Sequence, residues 1–261
     1  GYRRCRGVMV RELSTTMPDT NYEGRDLEVL AGMPNYHGWI MRWFSPYLGG
    51  RVVEYGAGTG TFSEYLRPYA QSLTLVEPSV NLHAALRGKF LDDASVDVDA
   101  MTLEDHVKQT PSDSVDAAVL VNVLEHIEDD RWALAELARV IAPGGHLLLF
   151  VPALSFLMSP LDVQLGHFRR YHRADLVGKL RGAGIELLSC RYFDMPGVAP
   201  WFVINRLLGS TSFNPTLVWL YDRMVVPLAR GFESVIRPPF GKNLVAIGRR
   251  GPPIAGHRTT A

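Results

Sequence analysis

The stretch V-V-E-Y-G-A-G-T-G-T-F, residues 52–62, decides the fold of this chain. A short β-branched run, Arg51–Tyr55, predicts a buried strand, and Thr61–Ala70 predicts the helix that follows it. Between them Gly56, Gly58 and Gly60 remove every side chain that would hold a ligand away from the backbone. Such a turn sets unpaired N–H groups and a helix N-terminus beside whatever binds there. The spacing is G-x-G-x-G rather than the G-x-G-x-x-G of dinucleotide-binding turns, and Glu54 stands two positions before the first glycine. A carboxylate there attracts a cationic ligand and repels a pyrophosphate. Glycine turns also arise from tight packing alone, so the neighbouring elements have to carry the reading.

Those elements come in a definite order. Leu73–Val76 is a second apolar strand ending at Glu77-Pro78, about twenty residues after the first, where nucleotide-binding sheets place a ribose-binding acid. Ser95–Val98 is a third strand and runs into Asp99-Ala100-Met101. Val115–Val121 is a fourth and opens into Asn122-Val123-Leu124-Glu125-His126-Ile127. A helix over Arg131–Ile141 is stopped by Ala142-Pro143-Gly144-Gly145, and His146–Val151 is the fifth strand. Strand interiors such as Ala117–Val121 are continuously apolar, as strands covered on both faces are. Alternating strands and helices with short connections predict an α/β fold with ligands at the carboxyl ends of the strands. Glu54, Glu77, Asp99 and Asn122 each lie at such an end.

This ordered set resembles the class I S-adenosylmethionine-dependent methyltransferases, in the broad group with an L-E-H-I segment and a P-G-G turn. The resemblance covers Arg51–Val151 and continues more loosely towards the C-terminus. It implies a Rossmann-like, seven-stranded, mostly parallel sheet with helices on both faces, in which Ile185–Phe193 and Asn243–Gly248 are reversed edge strands. It also implies S-adenosylmethionine as cofactor. The glycine turn would admit the methionine portion, with Glu54 towards its ammonium group. Glu77, next to Pro78, would take the ribose hydroxyls. Asp99 would accept from the adenine amino group, with Ala100 and Met101 against the ring, and Asn122 would start the loop beside the methyl group. An N-terminal helix caps the cofactor in the resembled family, which places Tyr36 near it.

For proton removal His126 leads by chemistry, because imidazole titrates near neutrality; it is otherwise a brace for its loop. Glu125 is its alternate or its orienting partner. One ubiquinone-pathway branch of the resembled family holds a metal with acidic residues in this neighbourhood. This chain lacks a convincing third and fourth oxygen ligand nearby, so no metal is expected. A second cluster, Gly166–Arg173, follows the fifth strand, and from it His167, as a second catalytic candidate, Arg169 and Tyr171 are expected to reach the acceptor. Trp201, in the apolar segment beyond, is a further substrate contact.

The chain divides into a mobile tail at 1–20, capping helices at 21–48, a core at 49–193 and 243–250, a helical lid at 194–242 and a second tail at 251–261. In the second capping helix Tyr36, Trp39, Ile40, Trp43 and Phe44 recur at helical spacing and form one aromatic face. The lid segment carries Trp201, Phe202, Trp219 and Tyr221 and is too apolar for a loose loop. Lysine and arginine balance aspartate and glutamate at 27 each, which gives no global attraction to nucleic acid. Cys5 and Cys190 are the two cysteines, too few for a disulfide framework, and a cytoplasmic setting is expected. The longest apolar stretch, Leu147–Met158, is broken by Pro152 and too short to span a bilayer, so no stable membrane insertion is expected. Behind Arg3, Arg4 and Arg6 there is no apolar segment of signal-peptide length.

The preferred expectation is an enzyme, monomer or homodimer, that methylates an oxygen or nitrogen of a small, largely apolar acceptor, as in secondary-metabolite tailoring. A second keeps the chemistry but takes a lipid or lipid-linked saccharide at the membrane surface. A third is a non-catalytic cofactor-binding partner protein. A nicotinamide-dependent oxidoreductase is disfavoured by the glycine spacing, Glu54 and the L-E-H-I segment.

Overall fold

Seven runs form one sheet: β1 Arg51–Tyr55, β2 Ser72–Val76, β3 Val96–Asp99, β4 Val115–Val121, β5 Ile141–Pro152, β6 Ile185–Phe193 and β7 Asn243–Arg250. The order is β3-β2-β1-β4-β5-β7-β6. This is a computed structural model that describes residues 26–251; the tails expected at 1–20 and 251–261, Gly251 apart, residues 21–25 and Cys5 lie outside the described residues. β1 to β5 pair in parallel, and β7 runs antiparallel to both β5 and β6. Two reversed edge strands were expected. Only β7 is reversed, and it is interior, because it enters the slot between β5 and β6 after the insertion has carried the chain back.

The period of two along the strands divides the core into two apolar layers. Val53, Tyr55, Ala118, Leu120, Leu147 and Leu149 face one side. Val52, Ala117, Val119, Leu148 and Phe150 face the other. Helices Leu103–Gln109, Asp130–Val140 and Arg173–Gly182 cover the first face, while Pro34–Phe44 and Val226–Val235 cover the second. In Pro34–Phe44 the buried residues are Tyr36, Trp39, Ile40, Met41 and Phe44. Trp43 is half-buried instead, with the Arg191 guanidinium 4.5 Å above its ring.

Two local differences from the sequence reading have plain causes. The Ala142–Gly145 turn does not end the helix outside the sheet; it is a bulge inside β5, where the register steps from Val115↔Ile141 to Ala117↔His146. Gly145 is required there, since a Cβ would come 2.7 Å from the Asp116 carbonyl oxygen. The helix expected over Thr61–Ala70 is one turn, Ser63–Leu66, followed by a 3-10 turn at Arg67–Tyr69 around Pro68.

The segment 194–242 forms a helix at Val198–Pro200 that continues as a π-helix through Leu207, then a second run made of Pro215–Leu220, a π turn Tyr221–Val225 and Val226–Val235. The second run is bound to the core through buried Asp222, which accepts from the backbone N–H groups of Asn35 (3.2 Å) and Tyr36 (2.9 Å). An acid from the insertion thus supplies the N-terminal cap that Met33 cannot give to helix Pro34–Phe44.

Candidate active site

A crevice of about 480 Å³ opens at the carboxyl ends of β1, β2 and β4 and runs beneath the insertion. The glycine turn forms its floor. Gly56 and Gly58 have φ of 69° and 57°, and a Cβ on Gly56 would come 2.5 Å from Val123 Cγ2, so the backbone lies bare to the crevice. Gly60 serves a different purpose. At φ 76° its missing side chain would meet Leu86 at 2.7 Å and Phe90 at 2.9 Å, which shows that it lets helix Val80–Lys89 pack rather than admitting a ligand.

Glu54 and Glu77 both line the crevice and are both buried. Glu77 Oε2 accepts the Gly58 N–H at 2.8 Å and Oε1 accepts the Ser79 N–H at 2.9 Å, which fixes the carboxylate across the turn and leaves lone pairs for a ligand. Glu54 accepts a short bond from the Ser63 hydroxyl. Burial pushes its carboxyl up to about 8, against the Ser63 bond and with help from Glu77. An acid held neutral by burial beside an open crevice suits a cationic ligand, which would restore its charge.

The adenine end differs from the sequence reading. Asp99, Ala100 and Met101 do not line the crevice; Thr102, Leu103 and Glu104 do, opposite Pro78 and Leu82. Asp99 turns away and places Oδ2 3.6 Å from His106 Nε2. The cause is the helix start: Thr102 caps helix Leu103–Gln109 by accepting the Asp105 N–H, and this turn brings 102–104 forward instead.

At the other end Asn122, with φ 53°, Val123 and His126 reach the crevice from the loop after β4, and His167 joins them from the loop after β5. The His126 and His167 rings meet edge to face with centroids 4.6 Å apart. Burial, then the neighbouring His167, lowers the His126 pKa to about 4, while the Gly166 and Leu165 carbonyls oppose that shift. His126 is therefore neutral near pH 7. His167 Nδ1 lies 2.9 Å from Asp162 Oδ1, and its Nε2 is 3.9 Å from Glu125 Oε1. Glu125 is fully buried, neither of its carboxylate oxygens has a hydrogen bond from another described residue, and burial pushes it up to about 8.

The donor atoms of Glu125, His126 and His167 lie within 4.8 Å of one another and can hold a cation. The expectation of no metal rested on a missing third and fourth oxygen ligand; the fold adds to Glu125 and His126 a third donor, the nitrogen of His167.

Tyr171 and Arg169 do not reach the crevice. Tyr171 is buried beside β5, where it bridges to Ala153, and its hydroxyl donates to Asp130 Oδ2 at 2.9 Å. Arg169 pairs with the same carboxylate at 2.7 Å and donates to the Glu128 carbonyl. Both brace the loop that presents His167. The residue between them, Arg170, does line the crevice, with its guanidinium 4.5 Å over the Trp201 ring and paired to Asp162 at 2.8 Å.

Trp201 and Tyr36, expected to contact acceptor and cofactor, both line the crevice wall. Trp201 is fixed by its Nε1–H, which donates to the Leu157 carbonyl at 3.1 Å. The Tyr36 hydroxyl is within 3.2 Å of Asp194 Oδ2 and 3.1 Å of Asn243 Oδ1. Sequence reasoning missed His37, Asp162, Arg170, Phe213, Lys242 and Asn243. Only Asp162 had a local signal, the S-x-x-D of a capping box that starts helix Pro160–Gln164.

A family model described as a methyltransferase domain matches residues 35–190. A ubiquinone biosynthesis O-methyltransferase from Xanthomonas euvesicatoria pv. vesicatoria (strain 85-10) is 26% identical over 182 residues, covering 64% of this chain and 74% of that protein. Among solved structures, an S-adenosylmethionine-dependent methyltransferase from Mesorhizobium loti superposes with a TM-score of 0.57 at 18% identity, over 80% of this chain and 95% of that one. One from Archaeoglobus fulgidus gives 0.56 at 16% identity, over 87% and 94%. The matched domain, the sheet and the acid-flanked glycine crevice agree, and the chain belongs to the class I S-adenosylmethionine-dependent methyltransferases.

Proposed function

We propose that this methyltransferase acts on a hydroxyl oxygen of a small, largely apolar organic acceptor, of the kind met in secondary-metabolite tailoring. The observation that carries the reading is the juxtaposition of neutral His126 and the Asp162-anchored His167 with an apolar wall of Phe150, Leu165, Trp201 and Phe213 in one crevice. A hydroxyl acceptor must lose its proton, and two imidazoles lining the crevice support that chemistry. An amine acceptor, already neutral, needs only positioning. Relatives named as ubiquinone biosynthesis O-methyltransferases support oxygen.

The residues present fit the cofactor. Glu77 and the bare backbone of Gly56–Gly58 would hold its ribose and methionine portions, Glu54 its ammonium group, and Pro78, Leu82 and Leu103 its base. When bound, the cofactor supplies an electrophilic methyl group on a sulfonium. The protein contributes orientation, exclusion of water by Trp201 and Phe213, and a proton acceptor. The test is a methyl-transfer assay over a panel of phenols, alcohols and amines of graded hydrophobicity. Turnover of phenols over amines is expected, and a preference for amines would overturn the choice of oxygen.

Two expected results concern cofactor binding. Glu77→Ala should weaken calorimetric affinity by about 1–3 kcal/mol, since the turn loses the carboxylate that orders it and the ligand loses charge-assisted bonds. Unchanged affinity would remove Glu77 from the site. Glu54 should release a proton on binding at pH 7, because a cation beside it draws a carboxyl raised to about 8 back to its ionised form. Calorimetry in two buffers of different ionisation enthalpy reads this directly. The release should vanish in Glu54→Gln. The sign also bears on stability. Relative to an ordinary carboxyl, the raised Glu54 stabilises the ligand-free fold at low pH, and that contribution fades as pH rises towards about 8.

A further inference from the structure

We propose that the helical insertion 194–242 seats this protein on the surface of an anionic lipid bilayer, with the helix run Pro215–Val235 lying in the interface. This goes beyond the proposed acceptor and does not depend on it.

The run from Pro215 to Val235 is continuous, since Tyr221 and Val226 both keep helical φ and ψ where its segments join. At 1.5 Å per residue it is about 30 Å long. Its inner face is made of Asp222, Val226, Ala229 and Glu233, all buried. Its outer face carries Leu217, Leu220, Met224, Leu228 and Val235 at three-, four- and seven-residue steps, and all are exposed, Leu228 at 75% and Val235 at 86%. Phe232 and Ile236 widen that stripe. On the preceding helix, Trp201–Leu207, Trp201 lines the crevice while Phe202, Val203 and Leu207 are exposed, as is Leu208 at its end. Monomeric proteins rarely leave so large an apolar surface open without a use for it.

The charges say what covers it. The insertion has three acids, Asp194, Asp222 and Glu233, and every one is buried and bonded inwards. Its arginines, Arg206, Arg223, Arg230 and Arg237, all reach solvent in part or in full, and none makes an ion pair among the described residues. Arg223 and Arg230 are seven positions apart and so share one flank of the stripe. Glu28, outside the insertion, is exposed beside Pro215, Thr216 and Trp219 at the start of the run, but the insertion itself exposes no acid. An apolar stripe flanked by these arginines matches the acyl boundary and anionic headgroups of a bilayer. A second copy is a poor fit, because a two-fold contact would set the same arginines against each other. Among the described residues no helix is long and apolar enough to cross a membrane, so the contact is interfacial.

The test is flotation of the full chain with phosphatidylcholine vesicles, with and without phosphatidylglycerol. The wild type should float with the anionic vesicles and much less with the neutral ones. Arg223→Glu with Arg230→Glu should reduce flotation about tenfold or more, and Met224→Asp with Leu228→Asp should abolish it. Both pairs lie on the exposed face, so cofactor affinity by calorimetry should match the wild type and certify the fold. Absence of flotation, or flotation indifferent to both pairs, would overturn the proposal. So would a wild-type dimer by light scattering that Leu228→Asp dissociates while no vesicle binding is seen, which would assign the face to a second copy. A chain that floats but shows no methyl transfer would count against the proposed activity and leave the docking intact.

Discussion

His126→Ala should lower turnover about 100-fold while leaving cofactor affinity unchanged, the size usual for losing a general base. The ring lines the crevice from the loop after β4, and its depressed pKa keeps it unprotonated across the physiological range. The same shift makes it a weaker base than an ordinary imidazole, so a proton it takes has to be passed on. A proton taken there has His167 beside it, with Asp162 behind His167, as a route outwards. His126→Gln should recover part of the loss if orientation contributes. Near-wild-type turnover in the alanine variant would transfer the task to positioning alone. Chelation separates the remaining alternative: if Glu125, His126 and His167 act through protons, the wild-type rate is insensitive to EDTA. A chelator that reduces the wild type to the level of the variant would assign the three residues to a cation.

Asp162→Ala should cost about 3–5 kcal/mol of stability, the penalty of leaving a buried charge without its partner. Asp162 is fully buried, and it holds Arg170 through Nε at 3.0 Å and Nη2 at 2.8 Å, His167 at 2.9 Å, and the Ser159 N–H and hydroxyl at 2.8 and 2.7 Å. Burial alone would raise its carboxyl. The bonds from His167, Arg170 and Ser159 overcome burial and bring it to about 2. A carboxyl depressed in this way contributes stability that is complete above the ordinary aspartate range and is lost as pH falls towards about 2. Urea unfolding at constant m-value measures the change. A loss below about 1 kcal/mol would show that Arg170 finds water or another partner when released.

Local pattern determined a large part of this molecule. The bounds of β1, β4 and β6 were legible to the residue, because apolar and β-branched runs and the stops beside them act over a few positions. The crevice was legible wherever its groups sit on strand ends: Glu54, Glu77, Asn122 and His126. What pattern could not show is which distant group a side chain meets. Asp99 looked like a ligand and found His106. Tyr171 looked like an acceptor contact and found Asp130. Gly60 belonged to the turn by spacing and to the helix Val80–Lys89 by packing. Lys242 and Asn243 came to the crevice only because β7 is inserted between β5 and β6, and no local signal encodes that order.

That insertion governs how the molecule comes together. Among the described residues β6 is held in the sheet by β7 alone, and β7 is separated from β5 by the whole of 153–242. Closing so long a stretch of chain costs entropy before any ladder bond forms, so this pairing is late and slow. The parallel pairs β1–β2, β2–β3 and β4–β5 can form first, from neighbours close in sequence, with β1–β4 joining them across the two intervening strands. Until β7 is seated, β5 presents a bare edge of apolar residues, Leu147 to Val151, to other chains. Aggregation during refolding of this protein should start at that edge, and a peptide spanning 243–250 should suppress it by filling the empty slot.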